Sequence, residues 1–265
     1  MTPATFKRSI RDLQVWCSSC MVAFSGSDPI GVLIGAKRPS GTLVHKIAVH
    51  PDHRRQGHGR HLLASLSSKL AILGPPRMIA EVPETLAATC GLFSACGYVQ
   101  EALLTDYVFH PTAHTTRRGG PGQREENDVR EAGGFVIPVT VDDLAANGLL
   151  EEAHPQVCWE RSVETLTARK DDIAGLAIAS DERIEAYLLY AERGAEGTEI
   201  MSLRSFIEDG GSRLRQLLSQ LRARGTGTFH FPKVHSAEIS KERLETLGFR
   251  AAGGHLLYAA RARSA

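Results

Sequence analysis

The chain has 265 residues, of which 42% are hydrophobic and 23% are charged, and its formal net charge is +1 at pH 7. This length predicts one large domain or two of ordinary size. The near-neutral charge gives no general attraction to nucleic acid or to an anionic membrane, so neither is expected as a partner. The sequence shows no apolar run of the roughly 20 residues that cross a bilayer and no signal-peptide pattern, so a cytoplasmic location is expected.

Cysteine and histidine usage predicts no metal site. The five cysteines are an odd number without framework spacing, and we expect structural thiols: Cys17, Cys20, Cys90, Cys96 and Cys158. Cys17 and Cys20 have the spacing of a redox motif or of half a zinc site, but no second pair accompanies them. Four clustered histidines lack the carboxylates or thiolates that would complete a metal site, and we expect polar loop residues: His50, His53, His58 and His61.

The first elements of the chain predict an antiparallel meander. Apolar residues at helical spacing predict a short amphipathic helix over residues 1–15. Cys20–Phe24 and Ile30–Ala36 are typical of two strands joined by a turn, and Thr42–Val49 is a third strand. These three strands lead directly into the most informative stretch of the chain.

Residues 47–63 change from an apolar run to a basic loop containing glycine, and then to leucines at helical spacing. Gly57 and Gly59 carry no Cβ, so successive backbone N–H groups can point into one concavity. The following helix adds its first N–H groups and the positive end of its dipole. Arg54, Arg55 and Arg60 add positive charge. The stretch therefore predicts a strand, a pyrophosphate-binding loop and a helix, although neither a nucleotide triphosphate loop nor a dinucleotide fingerprint is present.

This loop, Arg54-Arg55-Gln56-Gly57-His58-Gly59, resembles motif A (R/Q-x-x-G-x-G/A) of the GNAT acyltransferase superfamily. The preceding Ile47-Ala48-Val49-His50-Pro51 resembles the fourth strand and V-x-P segment of that family. The resemblance implies that acetyl-CoA is the acyl donor, held by its pyrophosphate in the loop and by its pantetheine arm along the strand. The cofactor-binding residues that it implies are Ile47, Ala48, Val49, Arg54, Arg55, Gln56, Gly57, His58, Gly59 and Arg60.

The rest of the first half follows the order of the GNAT core, with a strand at Met78–Val82, a helix at Thr85–Cys96 and a strand at Leu103–Phe109. The family's first strand and first helix have no counterpart, so one side of the sheet needs a cover. The second half of the chain and a second copy in a homodimer are the two candidates for that cover. The family's frequent tyrosine acid falls on Phe93, which has no proton to give.

The second half repeats this order and also contains a first strand and first helix, which the first half lacks. This repeat predicts a tandem of two GNAT units. We expect a first unit over 1–110, a flexible linker over 111–134 and a second, degenerate unit over 135–265. Asp142 and Asp143 are expected to cap a helix that begins at Leu144. A further helix is expected over Trp159–Ala168, with strands near 175–179, 183–190, 199–206, 228–234 and 255–260, and helices after Gly211 and over 239–247.

The predicted fold class is therefore α/β (α+β), with two units that each contain a mixed, mostly antiparallel twisted sheet flanked by helices. The loop before the helix of the second unit, Ile207–Gly211, carries Glu208 and Asp209 in place of an arginine run. These acids repel phosphate, so we expect one acyl-CoA site per chain.

The predicted function is N-acyl transfer from acetyl-CoA to a small-molecule or peptide amine, by direct attack in a ternary complex. The amine must be neutral to attack, so a base is needed. His45 is the first candidate base and Glu81 the second, although each is also consistent with an ordinary strand residue. Cys90 and Cys96 leave a covalent route open. The alternative function is a catalytically weak or inactive acyl-CoA-binding regulatory protein.

Overall fold

The computed structural model describes residues 7, 10–110, 134–150, 157–225 and 227–263. Of the predicted opening helix, residues 10–13 are helical. The other residues of that helix, apart from 7, 14 and 15, lie outside the described residues, and so does the predicted linker apart from Gly134.

The described helices and strands follow the predicted order closely. The helices are α1 (His58–Leu73), α2 (Ala87–Ala95), α3 (Val141–Ala146), α4 (Val163–Ala168), α5 (Ser212–Ala223) and α6 (Lys241–Thr246). The strands are β1 (Met21–Ser25), β2 (Asp28–Arg38), β3 (Gly41–Val49), β4 (Arg77–Pro83), β5 (Val99–Phe109), β6 (Phe135–Val139), β7 (Ala174–Ala179), β8 (Ile184–Glu192), β9 (Thr198–Ser205), β10 (Phe229–His235) and β11 (Arg250–Arg261). Short 3₁₀ turns lie at Cys17–Ser19, Pro51–His53, Trp159–Arg161, Lys170–Asp172 and Gly194–Glu196.

The chain packs as two compact units that are not contiguous in sequence. The first unit consists of Met1–Leu104, Cys158–Glu160 and Gly253–Ala265, and the second consists of Thr105–Val157 and Arg161–Ala252. Strands β5 and β11 each change unit part of the way along their length. Sequence reasoning, which placed linear boundaries at 110 and 135, did not anticipate this exchange of segments.

In the first unit the strand order is β1-β2-β3-β4-β11-β5. β1, β2 and β3 form the predicted antiparallel meander. β4 runs parallel to β3, and its other edge pairs antiparallel with β11 over seven residue pairs. The leucines of α1 form one buried face, which explains why this stretch has helical spacing: Leu62, Leu63, Leu66 and Leu70.

In the second unit the order is β5-β10-β9-β8-β7-β6. β6, β7, β8 and β9 pair antiparallel, and β10 runs parallel to β9. The core of this unit contains Phe229, Phe231 and Phe249, all of them fully buried, beside the leucines of α5.

Two sequence expectations in the second half of the chain are corrected. Helix α3 begins at Val141 rather than Leu144, because Thr140 is the N-cap and forms a capping box with Asp143. The Thr140 hydroxyl accepts a bond from the Asp143 N–H at 3.1 Å, and the Asp143 carboxylate accepts one from the Thr140 N–H at 2.8 Å. The helix expected over Trp159–Ala168 is split into a 3₁₀ turn and α4, with Ser162 as the N-cap of α4.

Candidate functional site

Strands β3 and β4 diverge soon after they pair. Their parallel ladder contains Thr42 opposite Met78 and Leu43 opposite Ile79. Both strands then continue, while the other edge of β3 stays paired with β2 as far as Val49. The edge of β3 that faces β4 is therefore open beyond Leu43, and its backbone groups can bind an extended ligand as an added strand would.

A β-bulge lies at His45. In the ladder between β2 and β3, Ile34 is opposite Lys46 and Gly35 is opposite Val44, so His45 is the extra residue. Its side chain is half-buried. Because a bulge bends its strand and redirects the neighbouring side chains, this residue marks the place where β3 changes direction.

The loop after β3 has a defined backbone shape. Arg55 and Gly57 have φ of 65° and 88°, so both lie in the left-handed region. Gly57 is the N-cap of α1, and because glycine has no side chain, the first turn has no side-chain cap. Arg54 Nε donates to the Val49 carbonyl at 3.0 Å, and the Gln56 amide donates to the Asp52 carbonyl at 3.1 Å. These bonds brace the loop, and the first N–H groups of α1 have no acceptor within the helix.

A cleft of about 940 Å³ lies between the end of β3, this loop and helix α2. Nine of the ten predicted cofactor-binding residues line it: Ile47, Ala48, Val49, Arg54, Arg55, Gly57, His58, Gly59 and Arg60. Gln56, the tenth, lies in the same loop with its amide bound to Asp52.

Sequence reasoning placed a helix beside the site but did not assign to the cleft the wall residues that α2 and its preceding turn provide. The residues of this wall are mostly small: Leu86, Ala87, Ala88, Thr89, Gly91, Leu92 and Ala95. His53 was also missed. The repeated alanine and glycine of this segment were the available signal, because small residues on one helix face leave space beside it.

Gly57 and Gly59, the two glycines of the motif, have different structural roles. A Cβ added at Gly57 would meet nothing within 4 Å, so this residue is needed for its left-handed φ. A Cβ added at Gly59 would approach Leu92 Cδ2 to 3.0 Å. Gly59 therefore permits the close approach of α1 to α2, in addition to the open phosphate space that the sequence predicted.

The two candidate bases lie outside the cleft lining. Glu81 is half-buried on β4, and its Oε1 accepts a bond from the Trp159 N–H at 2.7 Å. His45 lies in the bulge, two residues before the lining residue Ile47. Catalysis by either residue stays a prediction.

Phe93 and Tyr98 lie in the core of the first unit, and Cys96 packs against that core. Phe93 is 1% exposed and stacks on Tyr258, with Tyr98 edge-on at 4.9 Å between ring centroids. Burial raises the pKa of the Tyr98 hydroxyl well above its ordinary value. Burial also raises the pKa of the Cys96 thiol, against the opposing effect of the Arg60 guanidinium. A thiol with a raised pKa is a poor nucleophile, which weighs against the covalent route through Cys96.

Among the residues that the structure describes, no group of three or more His, Cys, Asp or Glu side chains could hold a metal ion. Within the same part of the chain, no helix has the length and apolar character needed to span a bilayer.

Residues 16–100 match the family model of the acetyltransferase (GNAT) domain. This match includes the loop that carries the motif, and the resemblance to the GNAT superfamily is confirmed over that stretch. A probable N-acetyltransferase 14 from Mus musculus is 40% identical over 90 residues, covering 30% of this chain and 44% of that protein. The chain thus matches less than half the length of that relative.

The fold comparison extends over both units. A tandem GNAT protein from the clavulanic acid biosynthesis pathway, solved without AcCoA, has a TM-score of 0.64 at 18% identity, over 97% of this chain and 88% of that one. A GCN5-related N-acetyltransferase from Sphaerobacter thermophilus has a TM-score of 0.61 at 14% identity, over 92% and 81%. The predicted fold class, with twisted mixed sheets flanked by helices, is confirmed.

Proposed function

We propose that the first unit is an acyl-CoA-dependent N-acyltransferase that moves an acetyl group from acetyl-CoA to an amine. The observation that carries this proposal is the continuous cleft that runs from the open edge of β3 to the N-terminus of α1. One end of the cleft offers strand backbone and the other offers helix N–H groups, which matches a ligand with an extended amide arm and an anionic pyrophosphate.

The fit of the pyrophosphate rests on charge and on space. Arg54, Arg55 and Arg60 line this end of the cleft, and the first turn of α1 contains no acid. Gly57 leaves open space above its Cα. An anion at this place interacts favourably with the helix dipole and with the guanidinium groups.

The pantetheine arm would then lie along β3, from Val49 towards Ile47. This direction brings the thioester towards the bulge at His45, about 13 Å from Val49 along an extended strand. In the proposed reaction the protonated amine gives a proton to a base, and the nitrogen lone pair of the neutral amine attacks the thioester carbonyl carbon. The carbon–sulfur bond breaks and its electron pair goes to sulfur. The nitrogen gives up a second proton, which the coenzyme A thiolate takes up before it leaves as a thiol. The acceptor becomes an amide.

A second candidate function is acyl-CoA binding without turnover. The observation that favours it is the buried Phe93, which stands where the family often has a tyrosine acid. The two functions differ in whether an acceptor consumes the thioester.

The test is the release of free coenzyme A thiol from acetyl-CoA by the full chain, measured against a panel of small amines and peptide amines. If the first unit is an enzyme, thiol release should require an acceptor and should saturate as the acceptor concentration rises. Tight binding of acetyl-CoA by calorimetry, with no acceptor-dependent release across the panel, would support the binding protein instead.

A further inference from the structure

The second unit repeats the geometry of the cleft in the first unit. β9 and β10 are parallel and pair at Thr198–Phe229 and Glu199–His230, after which both strands continue. Helix α5 then begins after Gly211, an N-cap glycine with φ of 85°, as α1 begins after Gly57 with φ of 88°. The second unit thus has the same strand opening and the same kind of helix N-terminus.

The helix N-terminus of the second unit already binds an anion that belongs to the chain. Asp209 Oδ1 accepts from the Gly211 N–H at 2.8 Å, and Oδ2 accepts from the Arg213 N–H at 2.6 Å. The matching position in the first unit, two residues before the N-cap glycine, is Arg55. The charge at this position is therefore reversed, and the Asp209 carboxylate uses the N–H groups that a pyrophosphate would need.

The side chain of Arg161 lies in the strand opening of the second unit. The Arg161 guanidinium donates to the carbonyls of Pro232 and Lys233 on β10, at 2.8 and 3.0 Å, and to that of Met201 on β9 at 3.5 Å. These acceptors lie two or three residues beyond Glu199 and His230, the last paired residues of the two strands. Arg161 is 2% exposed.

The Arg161 charge is balanced inside the same unit. Glu238 accepts two hydrogen bonds from the guanidinium, at 2.5 and 2.7 Å. A buried bidentate pair of this kind is held by several bonds at once, and removing one partner would leave the other as an uncompensated buried charge. An entering ligand would have to break this whole set of bonds.

Two other arginines close to the N-terminus of α5 are engaged as well. Arg213 Nε donates to Glu185 Oε2 at 2.7 Å, and both side chains are largely buried. The Arg243 guanidinium packs over Gly211, where an added Cβ would meet its Nη1 at 2.9 Å. Neither arginine is placed to act as Arg55 and Arg60 do in the first cleft.

We propose that the acyl-CoA cleft of the second unit is closed by two internal ligands. Asp209 takes the place of the pyrophosphate, and the Arg161–Glu238 pair takes the place of the pantetheine arm. The second unit is therefore a scaffold whose stability depends on these internal ligands. The corollary that the chain binds one equivalent of coenzyme A rests on the proposed function of the first unit, whereas the closure itself does not.

The first experiment replaces the internal anion with one from solution. We expect Asp209→Ala to melt at a lower temperature than the wild type, since two helix N–H groups lose their acceptor. Millimolar sulfate or inorganic phosphate should then raise the melting temperature of Asp209→Ala by several degrees more than that of the wild type. The matched control is Glu208→Ala, which removes the neighbouring exposed acid and should respond to anions as the wild type does.

Equal anion responses in all three proteins would overturn the closure by Asp209. If Asp209→Ala does not fold, Asp209→Asn serves in its place, because an amide oxygen still accepts one of the two bonds. We expect Asp209→Asn to melt below the wild type and to gain more from sulfate than Glu208→Ala does. An Asp209→Asn protein that matches the wild type in both respects would also overturn the proposal.

The second experiment is a crystal structure of the full chain grown with coenzyme A. We expect ligand density in the first unit, and Asp209 and Arg161 in their present contacts. Coenzyme A density between β9 and β10 would overturn the proposal. A chain that binds no coenzyme A at all would count against the proposed function of the first unit, and the sulfate experiment would still decide the closure of the second.

Discussion

The Oε1 atom of Glu81 accepts a hydrogen bond from the backbone N–H of Trp159 at 2.7 Å. The same tryptophan donates its indole N–H to the Leu13 carbonyl at 2.9 Å, and the Arg38 guanidinium lies 3.9 Å from its ring centroid. Cys158–Glu160 is a short segment of the first unit, far in sequence from the rest of that unit. Glu81 therefore helps to hold this segment in place.

Glu81→Gln distinguishes this structural role from a catalytic one. We expect a loss of about 1–2 kcal/mol in the free energy of unfolding, because a charge-assisted hydrogen bond becomes a neutral one, with kcat reduced only a few-fold. Thermal melts and steady-state kinetics on the same samples measure both quantities. Glu84→Gln is the control, an exposed carboxylate three residues away. A fall in kcat of about 100-fold with unchanged stability would instead identify Glu81 as the base.

His45→Ala tests the first candidate base. We expect kcat to fall about 100-fold, which is the lower range for loss of a general base. Coenzyme A affinity should stay within a few-fold of the wild type, since His45 does not line the cleft. An unchanged kcat would exclude His45 as the base.

Gly91→Leu should block the cleft without straining the backbone. Gly91 lies on α2 and lines the cleft, and an added Cβ there meets nothing within 4 Å. A leucine can therefore extend into the space that the ligand needs. We expect calorimetry to show coenzyme A affinity weakened by at least tenfold, which is about 1.4 kcal/mol. Ser94→Leu, on the exposed side of the same helix, should bind normally; equal affinity in the two variants would argue against this cleft.

Phe93→Tyr should not restore a catalytic acid. The ring is buried against Tyr98 and Tyr258, so the new hydroxyl would enter the core rather than the cleft. We expect a loss of about 1–3 kcal/mol in stability, the usual cost of burying a hydroxyl without a suitable partner. The kcat value should not increase. A variant that is both stable and faster would show that this position faces the reacting group after all.

Removal of the C-terminal strand should destroy the first unit. β11 pairs with β4 from His255 to Arg261, and Tyr258 belongs to the same core cluster as Phe93. A chain that ends at Ala252 leaves that edge of β4 without its partner and opens the core. We expect aggregation and loss of coenzyme A binding. The same is expected of residues 1–110 alone, and a soluble, cooperatively melting fragment that binds coenzyme A would contradict this account.

The sequence by itself determined the loop and its helix. The left-handed Gly57, the uncapped first turn of α1 and the arginines around them depend on residues within a few positions of one another, so the motif could be read before any fold was known. The strands and helices of both halves followed from apolar periodicity in the same way. Nine of the ten predicted cofactor-binding residues consequently line one cleft.

Only the tertiary structure decided which distant segments complete each unit. Cys158–Glu160 and Gly253–Ala265 join the first unit although more than fifty residues of chain separate each of them from Leu104. Arg161 lies in a strand opening whose walls are 40 and 71 residues away. Apolar periodicity predicts where a strand lies along the chain. It does not predict which distant segment pairs with the edge of that strand or with a buried charge. Hydrogen bonds and charge pairs over such separations depend on packing, and no local pattern in the sequence encodes them.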